Sequence, residues 1–142
     1  MGASGSYFLD ANILMYAAGS AHPLREPCRD ALARAVDQEV SLVTDAEVLQ
    51  EILHRYFSIG RPESARTIHR SAIDLCDEIL PIEVRDTARA VELLLAHREL
   101  SPRDALHVAA MEHHGLELLL STDRHFDGLK QVERIDPATF LR

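Results

Sequence analysis

Gly115-Leu116-Glu117-Leu118-Leu119-Leu120-Ser121-Thr122-Asp123 is the stretch on which the fold turns. Glu117–Ser121 is nearly pure apolar, without the polar alternation of a half-exposed strand. Such a run suits a strand buried on both faces of a parallel sheet. Just upstream, Ser101–His114 has the signals of a helix: Ser101 as N-cap, Pro102 at the first helical position, Asp104 as reciprocal acid and Gly115 as terminator. Helix, buried strand and acid thus follow one another within a few turns of chain.

Working outward, the same alternation recurs. Ser6–Leu9 and Val40–Thr44 read as buried strands, and Val132–Ile135 as a short last one. Glu78–Glu83 is a poorer candidate, with Pro81 inside it, and suits a sheet edge. Helices are expected over Pro27–Asp37, Asp45–Phe57, Pro62–Cys76 and Asp86–Arg98. In the second of these, Val48, Leu49, Ile52, Leu53, Tyr56 and Phe57 form an i, i+4 stripe. In the last, Val91, Leu94 and Leu95 are expected to point inward behind an Asp86 cap. Strands alternating with helices imply right-handed crossovers. The expected architecture is a three-layer α/β/α sandwich around a central parallel sheet of four to five strands. Ligands of such sheets bind beyond the carboxyl ends of the strands.

The 142 residues fit one domain, residues 1–142, with a flexible lead-in over 1–5. Met1–Ser6 also fits the loose myristoylation pattern, but a lead-in is the simpler reading. Hydrophobic residues make up 46% and charged residues 27%, enough apolar side chain for a core. No apolar run approaches the roughly 18 residues of a membrane span, and no secretory signal opens the chain. Cys28 and Cys76 lack CxxC spacing and read as reduced thiols of a cytoplasmic protein. The net charge of −8 argues against a broad basic surface for duplex DNA. It leaves a nuclease possible, because an acidic metal site contributes negative charge that the bound cation reverses locally. Lys130 is the only lysine among 15 basic residues, a bias explained by genome composition or by arginine's grip on phosphate.

The acids carry the chemistry. Asp10 ends the first strand in Phe8-Leu9-Asp10-Ala11-Asn12-Ile13-Leu14, and Asp123 follows the late strand. Each also has a plain structural reading, as a turn residue or helix cap. Asp104 would complete a capping box with Ser101, yet Ala105, Ala109 and Ala110 make its helix one that packs closely against the strand ends. A fourth acid is Glu47 or Glu51, one turn apart on the same face. Glu51 lies deeper in the helix, next to the apolar stripe. Asn12 is expected to fix Asp10 by a hydrogen bond. Ser121 or Thr122 would orient a water or bond the local backbone. Arg103 and Arg124 flank two of the acids, where they would meet substrate phosphate or balance carboxylates. All-oxygen ligation suits Mg²⁺ or Mn²⁺. None of the eight histidines stands in a compact zinc frame, and His107 reads as a packing or supporting residue.

From Tyr7 to about Ile135 the chain resembles the PIN domain, and more closely the VapC toxins of bacterial toxin–antitoxin pairs. The resemblance rests on four stretches: Phe8–Leu14; Val48–Leu53, which favours Glu51 over Glu47; Arg103–Ala110, the most specific; and Ser121–Phe126. Asp127 falls where some members carry a further acid. The resemblance implies a PIN-like sheet with a Mg²⁺- or Mn²⁺-dependent ribonuclease site. Asp10, Glu51, Asp104 and Asp123 would serve as metal ligands and catalytic groups. In-line attack on RNA would leave a 5′-phosphate and a 3′-hydroxyl. It also implies a homodimer held by a cognate VapB-type antitoxin, with no membrane role.

Three rivals are weighed beside it. A phospho-acceptor receiver domain needs a second acid beside Asp10 and a lysine after a late strand, whereas Lys130 lies beyond the loop. A haloacid-dehalogenase-type phosphatase needs Asp-x-Asp where this chain has Asn12. A catalytically inactive PIN-like binding module would keep the fold and fail to bind Mn²⁺.

Overall fold

The computed structural model describes Gly5 to Arg142, so most of the expected lead-in, residues 1–4, lies outside the described residues. Five strands form one parallel sheet: β1 (Ser6–Leu9), β2 (Ser41–Asp45), β3 (Glu78–Leu80), β4 (Leu118–Leu120) and β5 (Glu133–Ile135). Six helices flank it: α1 (Ala11–Ala18), α2 (Arg25–Asp37), α3 (Ala46–Ser58), α4 (Pro62–Leu75), α5 (Val84–Ala96) and α6 (Pro102–His113). The three-layer α/β/α arrangement is therefore present, with the sheet at the upper end of the expected size.

Strand order decides where a site can form. The order is β3-β2-β1-β4-β5, so the chain first moves outward from β1 to one side and then crosses to the other. The crossing point lies between β1 and β4, where Phe8 pairs with Leu119 and Leu9 with Leu120. The connections from these two parallel strands leave toward opposite edges of the sheet, and the crevice at their carboxyl ends is the usual ligand position. Asp10 follows β1 directly and donates its backbone N–H to Leu120 O at 3.1 Å. A receiver domain has its strands in the order 2-1-3-4-5. The order seen here removes that rival.

The core follows from the apolar runs. Phe8, Leu9, Leu119 and Leu120 are fully buried, as central parallel strands require. β3 is an edge strand and stops at Leu80, because Pro81 has no N–H to extend the ladder. α2 starts at Arg25, two residues before Pro27. Pro27 is still tolerated, since the first-turn N–H groups have no partner within the helix.

Three expectations need correction. Helix α1 was not expected: β1 runs into it with Asp10 alone between them, so no loop residues mark the change. α5 is rotated relative to the expected face. Ala90 and Leu93 are buried and Leu94 packs partly against the core, whereas Val91 is 56% and Leu95 81% exposed. Its cap is Glu83, whose N–H donates to Asp86 Oδ2 at 2.8 Å, with Asp86 three positions into the helix. On α3, Val48, Ile52 and Tyr56 are buried, but Leu53 and Phe57 are left exposed. The apolar stripe is wider than the fold itself covers.

Cys28 and Cys76 are free thiols. Burial pushes them up to about 11 and about 12, so neither is a ready nucleophile.

Candidate active site

The crevice is built from four chain segments. At its centre is Asp10, whose carboxylate is almost wholly buried. Its Oδ1 accepts from Ala11 N at 2.8 Å, which caps α1. Its Oδ2 accepts from Ser121 Oγ at 2.7 Å and Asn12 Nδ2 at 3.2 Å. The cap on α1 uses Oδ1 and leaves the carboxylate facing the crevice, so the cap reading does not exclude the site reading of Asp10. Burial raises the Asp10 pKa above the ordinary carboxylate value, against the opposing pull of His107 and the Ser121 hydrogen bond.

Ser121 and Asn12 tie the ends of β1 and β4 together. Ser121 Oγ also accepts from Asn12 Nδ2 at 3.1 Å and from Asp123 N at 3.0 Å. Asn12 Oδ1 in turn accepts from Thr122 N at 3.1 Å. The Ser121 hydroxyl is thus spent on holding Asp10 and the Asp123 turn, which leaves it no role in orienting a water. Asp123 caps a short 3-10 helix, Arg124–Gly128, accepting from His125 N at 2.9 Å, while Phe126 tucks fully into the core.

Asp104 enters from the first turn of α6. Ser101 Oγ accepts from Asp104 N at 3.1 Å, but the reciprocal bond from the Asp104 carboxylate to the Ser101 backbone is not made. That carboxylate is raised to about 7, by burial first and then by the charges of Asp10 and Asp123, with His107 opposing. A lone capping acid at a helix N-terminus would be lowered instead. The sign of the resulting pH effect is fixed. Without a cation, folded Asp104 holds a proton that the unfolded chain releases near 3.8, so its contribution to stability falls as pH rises toward 7. In chelator, Asp104→Asn should flatten the fall in melting temperature between pH 5 and pH 8. An unchanged slope would contradict the burial of this acid.

Of the two glutamates, Glu51 is the one that faces the crevice. Its Oε1 lies 3.7 Å from His107 Nε2, and its Oε2 3.8 Å from Arg103 Nη1. Glu47 instead accepts from Arg103 Nε at 3.2 Å. Arg103 is therefore a counter-ion to both glutamates. Arg124 is exposed. Asp127 is turned away, gripped by Arg134 at 2.7 and 3.3 Å and lowered chiefly by that bond.

Asp45 is absent from the residues singled out in the sequence, where His107 reads as a packing or supporting residue. His107 is fully buried on α6, and its Nδ1 lies 2.8 Å from Asp45 Oδ2. Asp45 ends β2 and caps α3, its Oδ1 accepting from Val48 N at 2.8 Å. Burial opposes a charge on His107, yet Asp45, with Glu51 and Asp10 behind it, raises its pKa well above the ordinary value. At 3.7 and 4.0 Å, the Glu51 and Asp10 separations are ion-pair contacts and not hydrogen bonds. A buried imidazolium and a divalent ion are two ways of neutralising the same acids.

Fold and crevice together are those of a PIN domain, and the PIN domain family model matches residues 7–132. A VapC ribonuclease of Mycobacterium bovis is 44% identical over 127 residues, covering 89% of this chain and 97% of the relative. The chain belongs to the VapC ribonucleases within the PIN-domain family. Among solved structures, Mycobacterium tuberculosis VapC20, described as a Sarcin-Ricin loop cleaving toxin, superposes with a TM-score of 0.72 at 19% identity, covering 89% of this chain and 97% of that one. VapBC2 from Rickettsia felis, solved on a DNA fragment from its promoter, gives a TM-score of 0.69 at 17% identity over 92% and 98% of the two chains. At these identities the structural matches speak for the fold.

Proposed function

We propose that this chain is the toxin of a type II toxin–antitoxin pair, a divalent-cation-dependent endoribonuclease that leaves 5′-phosphate and 3′-hydroxyl ends. The observation that carries the reading is the convergence of Asp10 and Glu51 with His107 at the β1/β4 crossing, their ligand-type atoms all within 4.8 Å of one another. Asp104 and Asp123 border the same crevice. Three features fit a cation: a buried carboxylate, a neighbouring acid held near 7, and more acids than protein cations to balance them. Asp10, Glu51, Asp104 and Asp123 would hold it, and the oxygen-rich donor set favours Mg²⁺ or Mn²⁺. When bound, such an ion would supply charge neutralisation at the scissile phosphate and lower the pKa of a water.

The remaining roles belong to the chain itself. Ser121 and Asn12 hold Asp10 in one orientation. Glu51, one of the partly exposed acids of the crevice, would take the proton of the attacking water. Arg103 restrains Glu51, and exposed Arg124 meets substrate phosphate beside Asp123. A groove of about 710 Å³ opens next to Asn12, and its lining includes Tyr16, His22, Arg55, Tyr56 and Arg61. Rings and guanidinium groups are what a single RNA strand needs for stacking and backbone contact. This gives the acidic chain a local route for an anionic substrate.

Partners follow the same reading. Leu53, Phe57 and Ile59 at the end of α3, and Val84, Val91 and Leu95 along α5, are exposed apolar residues that folding leaves uncovered. They support a homodimer and a VapB-type antitoxin whose basic segment neutralises the crevice. No helix among the described residues is long and apolar enough to cross a membrane; action on cellular RNA, in this reading, would take place in the cytoplasm.

Glu51→Gln should reduce cleavage by about 10²-fold or more, the scale of a lost general base, while Glu47→Gln should change it by less than about 10-fold. The reverse ranking in single-turnover cleavage would overturn the assignment. The function itself is tested by incubating purified protein with total bacterial RNA in Mg²⁺, in Mn²⁺ and in chelator. Discrete fragments that need the cation support the reading. A folded protein that binds no Mn²⁺ and cleaves nothing would return the inactive binding module.

A further inference from the structure

The crevice draws one carboxylate from the end of β1, one from α3 and an imidazole from α6. The imidazole is the unexpected member. Asp45 engages Nδ1 of the fully buried His107, which fixes the orientation of the ring. The opposite nitrogen, Nε2, faces Asp10 Oδ1 at 4.0 Å and Glu51 Oε1 at 3.7 Å, and has no hydrogen-bond partner among the described residues. Buried polar atoms are nearly always partnered, so this orphan calls for a ligand. Two donor atoms on one small cation, each about 2.1 Å from it, stand up to about 4.2 Å apart. The gap between Nε2 and the carboxylates is of that size. A carboxylate on the far nitrogen is also the usual support of a metal-ligating histidine.

We propose that Asp10, Glu51 and His107 form a mixed carboxylate–imidazole cation site, with Asp45 as the residue that positions the ring. The proposal rests on the divalent-cation reading of the crevice and adds a nitrogen ligand to it. Nitrogen donors favour later first-row ions, so the site should select Mn²⁺ and Co²⁺ over Mg²⁺ more strongly than carboxylates alone. In the competing arrangement, His107 is only an internal counter-ion and the cation meets oxygen alone.

Pulsed electron paramagnetic resonance of the Mn²⁺-loaded full chain separates the two. Protein carrying natural-abundance histidine is compared with protein carrying ¹⁵N-histidine. A nitrogen coupling to Mn²⁺ that changes with the isotope is expected. It should persist in His125→Gln, the other histidine beside a crevice acid, and vanish in His107→Gln. The ratio of Mn²⁺ to Mg²⁺ affinity should fall by about 10-fold in His107→Gln, and Asp45→Asn should weaken Mn²⁺ binding by about 10- to 100-fold. If His107→Gln does not fold, the isotope pair and His125→Gln still decide. Bound Mn²⁺ without histidine coupling overturns the proposal and leaves the cation site standing, as does coupling that disappears in His125→Gln. A folded chain that binds no Mn²⁺ overturns both.

Discussion

Asp104→Asn is expected to lower RNA cleavage by about 10³-fold or more, the scale of removing one preorganised electrostatic group from an active site. It should do so without loss of fold. Helix α6 is capped through the Asp104 backbone N–H and the Ser101 hydroxyl, and neither atom is changed. Its carboxylate is raised to about 7 by burial and by neighbouring acids, so the amide relieves a burden in the cation-free protein. An inactive variant that melts higher than wild type at pH 8 in chelator is therefore the expected pair of results. Asp10→Asn should be equally inactive but less cleanly folded. Asp10 Oδ2 accepts from both Ser121 and Asn12, and an amide nitrogen there would face Asn12's own N–H donor. Full activity in Asp104→Asn, measured at saturating Mn²⁺, would remove Asp104 from the site.

Asp45→Ala is expected to cost about 3–5 kcal/mol of stability, the range for removing one partner of a buried ion pair. Asp45 and His107 are both fully buried, and Asp45 is the hydrogen-bond partner of the imidazole Nδ1. The same substitution removes the cap on α3, a loss of about 1 kcal/mol by itself. Asp45→Asn keeps its one amide oxygen as acceptor for Val48 N, while its Nδ2 can donate to Nδ1 of the neutral ring in its other tautomer, and it should cost less than about 2 kcal/mol. Urea unfolding of the three proteins checks the ranking. An alanine variant within about 1 kcal/mol of wild type would mean that the pair is not a structural tie between β2 and α6.

Much of this was legible along the chain. The leucine run of β4 announced a doubly buried strand, and Ser101-Pro102 together with Gly115 bounded α6 closely. Asp10 was visible because it interrupts an apolar stretch. The same stretch concealed α1: with one residue between strand and helix, neither period runs long enough to be seen. On α5, Val91 and Leu95 are as apolar as Leu93, yet the helix buries Ala90, Leu93 and Asp86, the last held by His113 Nδ1 at 3.0 Å. Packing against α6 sets that rotation, and a helix with apolar residues on most sides does not reveal it in advance. Asp45 was hidden by its ordinary job as a cap. Its second job depends on a contact 62 residues away in sequence, which no local spacing encodes.

The crevice acids are most directly tested as one cation site by calorimetric titration of Mn²⁺ into the folded wild-type chain, Asp10→Asn and Asp104→Asn. Saturable binding to the wild type that weakens by at least about 10-fold in both variants is the predicted result. Binding of equal strength in all three proteins would place the cation elsewhere and contradict the assignment.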